Sequence, residues 1–144
     1  MDRWPLQELL GRLYRQFAEE FQAGMAEAGY GDITLAHGTN VLRFLDDAGV
    51  RIGRLAELSG LSKQALSQQV RYLEAHGYVS VEPDPTDNRS KLVRNTRRGW
   101  DCRAVARPLF VEIEQGWGHR IGPSELRRLR ISLERAVAAL GDGN

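Results

Sequence analysis

The sequence predicts a mainly α-helical chain that carries one small β-hairpin. Apolar residues recur at helical spacing through most of the 144 residues, and strand-like alternation is confined to residues 78–94. Two short helices separated by a glycine-containing turn lie directly before this hairpin, which is the helix-turn-helix pattern. We therefore expect a winged helix-turn-helix with six helices, in which the hairpin is the wing.

The composition is that of an ordinary globular protein. A chain of 144 residues, 42% of them hydrophobic, is long enough for one domain with a core. Its single cysteine excludes an intrachain disulfide. No N-terminal apolar run has the form of a signal peptide or a membrane span. We expect a cytoplasmic protein with no membrane segment.

The charge is unevenly distributed along the chain. The formal net charge is only +1, yet residues 51–98 hold nine basic against five acidic residues. Residues 1–28 hold three basic against five acidic residues. Positive charge therefore gathers on the helix-turn-helix and the hairpin, which is where a nucleic-acid contact would need it.

The helix that follows Ser62 has one apolar face and one hydrogen-bonding face. Ser62 is a favourable N-cap, and Leu66, Val70 and Leu73 form an apolar stripe. Glutamine can pair with adenine and arginine with guanine in the major groove, while serine can serve either. A surface helix with no DNA contact is the alternative. The polar side chains off the stripe are Gln64, Ser67, Gln68 and Arg71.

The hairpin is predicted from alternation and from turn-forming residues. Residues 78–81 alternate outward and inward side chains, as a half-buried strand does. Residues 82–85 contain two prolines and are expected to break that strand. Residues 86–90 are expected to form the turn, and residues 91–94 the second strand.

The expected hairpin tip carries Asp87 and Arg89, two residues apart. The carboxylate is positioned to hold the guanidinium in one pose, and a fixed arginine at a loop tip suits a narrow minor groove. A solvated surface hairpin with an incidental ion pair is the alternative, because such a pair usually contributes little.

Two helices are expected before the helix-turn-helix. Residues 4–28 keep the helical period over a stripe too long for one small core, so part of the stripe is expected to meet a second subunit. Thr34 is expected to cap a second helix over residues 35–47, with Val41, Leu42 and Leu45 inward and Gly49 beyond its end. Residues 50–52 are expected to form a short strand that joins the wing sheet. The apolar stripe of the first helix is Leu6, Leu9, Leu10, Leu13, Tyr14, Phe17, Phe21 and Met25.

Two helices are expected after the hairpin. Thr96 is expected to cap a helix over residues 97–118, with a bend near residues 104–108 caused by Pro108. The last helix is expected over residues 123–140, because proline favours the first helical position. Its apolar stripe is Leu126, Leu129, Leu133, Val137 and Leu140.

At these residues the sequence resembles the MarR family of bacterial transcriptional regulators. Asp84–Arg89 carries the wing motif of that family, and Thr96 and Gly99 follow it at the family's spacing. Leu73–Val79 resembles the segment before the wing. The resemblance covers nearly the whole chain, although only about residues 50–99 carry specific motifs. The two helices upstream match through Leu55, Ala56, Leu61 and Ser62.

The resemblance implies a domain organisation. The chain would be a single domain over residues 1–144, with a DNA-binding lobe at residues 33–96. Residues 1–30 and 97–144 would hold the dimerisation helices, since family members dimerise through their N- and C-terminal helices. Asn95 departs from the family, which usually has an apolar residue there.

The resemblance also implies a small aromatic effector, bound between the dimer helices and the DNA-binding lobe. An aromatic residue at helical spacing belongs more often to a core than to a ligand site, so packing stays the alternative for each candidate. Trp4 and Trp117 are expected in the dimer core. The candidate pocket residues are Tyr14, Phe17, Tyr30, His37, Trp100 and Cys102.

Cys102 lies between Asp101 and Arg103, in the helix after the wing. A neighbouring arginine lowers the pKa of a thiol, which would suit a redox-sensing regulator acting through Cys102. A small buried residue with a packing role is the other interpretation. The redox cysteines of some family members lie near the N-terminal end, unlike this one.

The sequence contains no pattern typical of an enzyme or a metal site. His37, His76 and His119 lack ligand spacing, and one cysteine provides no thiolate cluster. No glycine-rich phosphate loop, GxSxG or HExxH occurs. We expect no enzymatic activity, no cofactor and no metal.

Together these observations predict a homodimeric, sequence-specific DNA-binding regulator. By the resemblance it would be a repressor released from a pseudo-palindromic operator by a small-molecule effector. The partners would be double-stranded DNA and a second copy of the chain. A winged-helix protein-interaction module without DNA binding is the alternative. The expected DNA-binding residues are Arg54, Lys63, Gln64, Ser67, Gln68, Arg71, Asp87, Arg89 and Arg94.

Overall fold

The computed structural model describes residues 3–141, so both ends of the expected single domain, residues 1–2 and 142–144, lie outside the described part. The described chain has six α-helices, one short 3-10 helix and three strands. Their order is α1 (Leu6–Glu27), α2 (Leu35–Asn40), the 3-10 helix (Leu42–Phe44), β1 (Val50–Arg51), α3 (Ile52–Ser59), α4 (Lys63–Ala75), β2 (Val79–Asp84), β3 (Asp87–Asn95), α5 (Arg97–Ile121) and α6 (Pro123–Gly141).

The chain divides into two compact units. The first ends at Leu109 and holds α1 to α4, the sheet and the first part of α5. The second begins at Phe110 and holds the remainder of α5 together with α6. α5 is assigned as one helix through Pro108. The expected bend there stays a prediction.

The sheet of the first unit is antiparallel, in the order β1-β3-β2. Val93 of β3 lies opposite Val50 of β1 and Val81 of β2, so β3 is the central strand. Val93 is fully buried, and side chains from each of α1, α3 and α4 join it in the core. The expected short strand at residues 50–52, joined to the wing, is therefore confirmed at Val50–Arg51.

The helix ends follow from local hydrogen bonds that the sequence predicts. The Ser62 hydroxyl accepts the Ala65 N–H at 3.1 Å, which caps α4. Gly60 ends α3 with a φ of 74°, in the left-handed region that glycine tolerates. The Thr96 hydroxyl accepts the Gly99 N–H at 3.2 Å at the start of α5. These three expectations are confirmed.

The second helix differs from its prediction. α2 ends at Asn40, and residues 42–44 form a 3-10 turn instead of continuing the α-helix to residue 47. The apolar side chains expected to point inward, Val41, Leu42 and Leu45, are nevertheless buried. The predicted burial of these side chains is confirmed, but the predicted length of the helix was wrong. The 3-10 turn buries residues at nearly the same spacing as an α-helix, so the apolar pattern did not show where α2 ends.

The wing is longer than expected. β2 continues through Pro83 to Asp84, and β3 begins at Asp87, so the turn is Pro85–Thr86. The predicted break at residues 82–85 and turn at residues 86–90 were wrong. Pro83 is tolerated because β2 is an edge strand, and a bulge follows it between Pro83 and Asp84.

Large apolar side chains are exposed on α1 and on α6. Around the first turns of α1 these are Trp4, Leu6, Leu9, Leu10, Leu13 and Tyr14, with Leu6 71% exposed. In the second unit α6 exposes Ile131, Leu133, Val137 and Leu140, the last at 83%. An ion pair between Arg130 and Glu114 links α6 to α5 within this unit.

The structure also ends α5 later than predicted. The helix runs to Ile121, and Gly122, with a φ of 98°, separates it from α6. Gly118 lies inside α5, whereas the sequence had suggested a break there. No helix within residues 3–141 combines the length and the apolar character that crossing a bilayer requires.

Candidate nucleic-acid interface

α4 presents one face to the core and the other to solvent. Leu66, Val70 and Leu73 are buried, as the stripe predicted. The opposite face holds three exposed hydrogen-bonding side chains and a partly exposed serine. These are the residues expected to read base edges, Gln64, Gln68 and Arg71, together with Ser67.

A cleft of about 540 Å³ lies between the helix-turn-helix and the wing. α3 and the start of α4 form one wall, and β3 forms the other. Five of its lining side chains are basic and one, Glu57, is acidic. The basic ones are Arg51, Arg54, Lys63, Arg89 and Lys91. The cleft is therefore a cationic groove that an anionic backbone would fit.

The acidic side chain in this cleft is already paired. Glu57 accepts a hydrogen bond from the Arg54 guanidinium at 3.1 Å, and both side chains are more than half exposed. An exposed pair of this kind contributes little to stability. Its main effect is to neutralise one of the five cations. Arg51 is paired with Asp84, so Lys63, Arg89 and Lys91 carry most of the available charge.

Asp87, the first residue of β3, accepts hydrogen bonds from two neighbouring residues at the tip of the wing. The Asp87 carboxylate accepts the backbone N–H of Arg89 at 3.0 Å and the hydroxyl of Ser90 at 3.3 Å. The Arg89 guanidinium lies 3.7 Å from the same carboxylate and is 95% exposed. Asp87 therefore shapes the start of β3, while the Arg89 side chain extends into solvent from the wing.

A buried carboxylate, Asp84, lies at the end of β2, directly before the turn of the wing. Its Oδ1 accepts the backbone N–H of Thr86 at 2.9 Å and the hydroxyl of Thr86 at 2.8 Å. Its Oδ2 accepts the Arg51 Nε–H at 2.7 Å. The two bonds from Thr86, followed by the contact with Arg51, hold the pKa of Asp84 below its ordinary value. Asp84 is thus a charged acceptor that fixes the turn of the wing.

Arg94, expected to contact a phosphate, is engaged within the protein. Its Nε–H donates to the Glu82 carboxylate on the neighbouring strand, and its Nη1 donates to the Asp47 carbonyl oxygen at 2.6 Å. These bonds use two of the five guanidinium N–H donors, and a phosphate contact by Arg94 stays a prediction. The geometry therefore favours a bracing role between the wing and the loop before β1.

A second polar cluster joins the wing to α5. The buried Tyr78 donates its hydroxyl proton to the Asp32 carboxylate and accepts a bond from the Arg98 guanidinium at 2.9 Å. Burial, and then the bond to Asp32, raise the pKa of the Tyr78 hydroxyl above its ordinary value. Tyr72 of α4 donates to the Asp32 backbone carbonyl at 2.7 Å. Asp32 thus links the end of α4, the residue directly before β2 and the start of α5.

The aromatic candidates for an effector pocket have varied environments. The ring of Tyr30 lies 6.2 Å from that of Tyr78, and the His37 ring stacks on Tyr72 at 4.7 Å. Tyr14 is exposed on α1, and Phe17 is partly exposed there. Trp100 lines a cleft of about 210 Å³ together with Arg103, Ala104 and Arg107. The shared pocket of the six candidates stays a prediction.

Cys102 has the environment of a packing residue. It is 1% exposed, and burial raises the pKa of its thiol to about 11. Arg103, which the sequence suggested would lower this pKa, instead donates to the Leu45 carbonyl oxygen at 2.8 Å. The charge of Arg98 acts to lower the pKa of the Cys102 thiol, against the effect of burial. The expectation that Arg103 would lower this pKa was wrong, because adjacent helical residues point in different directions.

Two residues of the cleft, Arg51 and Lys91, were not predicted as site residues from the sequence. Lys91 had been assigned only to a strand, and Arg51 to a short strand before the helix-turn-helix. Arg51 pairs with Asp84, which lies 33 residues away in the sequence, so no local spacing could predict the pair. The one available indication was the basic excess over residues 51–98. Within residues 3–141, no group of three or more potential ligands has a geometry suited to a metal ion.

The architecture and the cationic cleft define a winged helix-turn-helix protein. Residues 32–90, from the loop before α2 into β3, match the family model described as the MarR family. Over this segment, which holds the helix-turn-helix and most of the wing, the chain is similar to that family.

Solved structures share the fold over nearly the whole chain. The reduced form of MarR from E. coli is 20% identical, with a TM-score of 0.80, covering 95% of this chain and 99% of that one. The MepR–DNA complex of S. aureus is 18% identical, with a TM-score of 0.75, covering 96% and 100%. The transcriptional regulator Tm0710 from Thermotoga maritima is 22% identical, with a TM-score of 0.60, covering 96% of each. A comparison with curated protein sequences gives no match.

Proposed function

We propose that the chain is a homodimeric, sequence-specific DNA-binding regulator of transcription that acts in the cytoplasm. It would be a repressor that leaves a pseudo-palindromic operator when a small molecule binds. The observation that carries the DNA contact is the cleft between helix-turn-helix and wing, which has five basic side chains and one acidic one. One of the structures that shares its fold is a complex of MepR with DNA.

In this proposal the exposed face of α4 lies in a major groove. Gln64, Gln68 and Arg71 contact base edges there, because glutamine and arginine can form paired hydrogen bonds with adenine and guanine. Arg54 and Lys63 contact phosphates, which position the protein without reading sequence.

The wing would reach a neighbouring minor groove. Arg89 is its most suitable side chain, since 95% of it is exposed and its backbone is held by Asp87. A narrow minor groove attracts arginine through its enhanced negative potential. Lys91 lines the cleft behind Arg89 and is a further candidate for a phosphate contact.

Dimerisation would bury the apolar side chains exposed on α1 and α6. Isolated apolar side chains are common on protein surfaces, but a run such as Leu6, Leu9, Leu10 and Leu13 on one helix favours a partner. The family resemblance supports a second copy of the chain as that partner. Two copies would place two α4 helices in successive major grooves, about one helical turn apart.

The effector is proposed from the resemblance alone. A small aromatic molecule would bind near the aromatic candidates and change the separation of the two α4 helices. Its candidate contacts are Tyr14, Phe17, Tyr30, His37, Trp100 and Cys102.

A fluorescence-anisotropy titration tests the DNA contact. A labelled duplex from the protein's own upstream promoter region is compared with a scrambled duplex, at low and at physiological salt. We expect tighter binding to the promoter duplex at both salt concentrations. Equal, weak binding that physiological salt abolishes on both duplexes would contradict sequence-specific recognition. Light scattering on the same sample tests the dimer.

A further inference from the structure

An ion pair between Arg51 and Asp84 links the turn end of the wing to β1, directly before the helix-turn-helix. Asp84 is 5% exposed and lies at the bulge where β2 loses its regular register with β3. Each of its carboxylate oxygens accepts a hydrogen bond, Oδ1 from Thr86 and Oδ2 from Arg51. A buried carboxylate with this many donors holds its surroundings in one arrangement.

Arg51 provides the only one of these bonds that comes from outside the wing hairpin. It lies on β1, directly before α3, opposite Leu92 of β3. Its Nε–H donates to Asp84 at 2.7 Å, and its Nη2 lies 3.4 Å from the Thr86 hydroxyl. Its side chain is nevertheless 48% exposed and lines the cationic cleft. Arg51 therefore lies between the two parts of the protein that flank that cleft.

We infer that Arg51 is a positioning residue for the DNA contact, a role that rests on the proposed function. Its bond to Asp84 fixes the wing relative to the helix-turn-helix, so that Arg89 and α4 meet the same stretch of duplex. A guanidinium is suited to this role because its planar fork holds a carboxylate in a defined orientation, which an ammonium does not. Without the bond, the end of the hairpin around the Pro85–Thr86 turn loses its side-chain link to β1, and the contact made by Arg89 is weakened.

Two substitutions separate positioning from simple attraction to phosphate. Arg51→Lys keeps the positive charge and loses the fork. Asp84→Asn makes the protein more positive, so attraction alone would tighten DNA binding, whereas loss of the anchor would weaken it. We expect each variant to bind the operator about tenfold more weakly, the order of one lost arginine contact. Since Arg51→Lys removes no charge, the slope of log affinity against log salt should equal that of the wild type.

Arg97→Lys is the matched control. Arg97 is 93% exposed, and its guanidinium lies 3.7 Å from Asp101 outside the cleft, so this variant should bind DNA like the wild type. An operator affinity unchanged in Arg51→Lys, or increased in a folded Asp84→Asn protein, would overturn the inference. If the Asp84→Asn protein does not fold, Arg51→Lys alone tests the inference, because the half-exposed side chain of Arg51 tolerates substitution.

A measurement without DNA distinguishes this inference from the proposed function. The Thr86 amide donates to Asp84, so its hydrogen-exchange rate reports whether the turn of the wing is held. We expect the Thr86 amide to exchange faster in Arg51→Lys than in the wild type, and at the wild-type rate in Arg97→Lys. If wild-type protein binds no duplex specifically, the proposed function fails while the anchor is still tested by exchange. An unchanged Thr86 rate in Arg51→Lys would reject the anchor itself.

Discussion

The carbonyl oxygen of Tyr78 occupies the position where a side chain on Gly99 would begin. A Cβ built on Gly99 would lie 2.2 Å from that oxygen, far inside van der Waals contact. The same oxygen accepts bonds from the backbone N–H and the hydroxyl of Thr96, each at 3.1 Å. The first turn of α5 is therefore packed directly on the backbone that enters β2, and glycine is needed for close approach rather than for its backbone angles.

Gly99→Ala should therefore destabilise the protein. The added methyl group meets backbone, which cannot rotate away, so we expect a loss of roughly 1–3 kcal/mol in the free energy of unfolding. Gly38→Ala is the control, because nothing lies within 4 Å of a Cβ there and alanine favours a helix by about 0.5–1 kcal/mol. Urea unfolding measures both changes. Equal stability of the two variants would contradict the close packing.

Arg89→Ala should weaken operator binding by about 1–3 kcal/mol while the dimer persists. The side chain is almost fully exposed and lies far from α1 and α6 in sequence, so its loss should not disturb folding. Anisotropy titration gives the affinity, and light scattering gives the oligomeric state. Lys91→Ala is the comparison, since losing a phosphate contact should weaken promoter and scrambled duplexes alike. An unchanged operator affinity in Arg89→Ala would exclude the proposed wing contact.

The protein should lose stability when the pH falls below about 6.5. The His37 Nδ1 accepts the Thr34 N–H at 3.0 Å, which requires that nitrogen to be unprotonated. Burial, and then the nearby His76, lower the pKa of His37 from 6.5, with Asp32 opposing the shift. The unfolded chain therefore binds more protons than the folded one between the folded pKa and 6.5, so stability rises with pH across that window.

His37→Gln tests this dependence. Glutamine at the third helical position can still complete the capping box with Thr34, and it does not titrate. Thermal unfolding between pH 5 and pH 7.5 should show a smaller decrease in Tm on acidification for the variant than for the wild type. Parallel curves for the two proteins would assign the acid sensitivity to other groups.

Cys102 should be unreactive in the folded protein. Raising the pKa of a thiol from 9.0 to about 11 reduces its thiolate fraction near neutral pH roughly 100-fold, and burial further restricts access. Ellman's reagent should therefore react roughly 100-fold more slowly with native protein than with protein in denaturant. Cys102→Ser should leave any effect of peroxide on DNA binding intact. Abolition of a peroxide response in that variant would support the redox alternative.

The end of α3 and the starts of α4 and α5 were predictable because the interactions that set them are local. Ser62 caps α4 through a residue three positions away, and Gly60 ends α3 through its own backbone angle. The wing was harder, because whether proline breaks a strand depends on the strand's place in the sheet. Pro83 is tolerated within β2 because β2 is an edge strand. The order of strands in a sheet cannot be predicted from the few residues around a proline.

The side-chain anchors of the site could not be predicted from spacing. Arg94 contacts Asp47, 47 residues away, and Tyr78 contacts Asp32, 46 residues away. The sequence showed an excess of positive charge but not which cations were already paired. Arg94 was therefore assigned to a phosphate contact from its charge alone, which stays a prediction, and Arg51 was given no role in the site.

The division of α4 into a buried stripe and an exposed face has an evolutionary consequence. Leu66, Val70 and Leu73 carry the packing, so substitutions at the exposed Gln64, Gln68 or Arg71 should change stability by only about 0.5 kcal/mol. The residues proposed to read DNA can thus be exchanged almost independently of folding. After gene duplication, a copy of this protein could acquire a different operator through a few substitutions, without passing through an unstable intermediate.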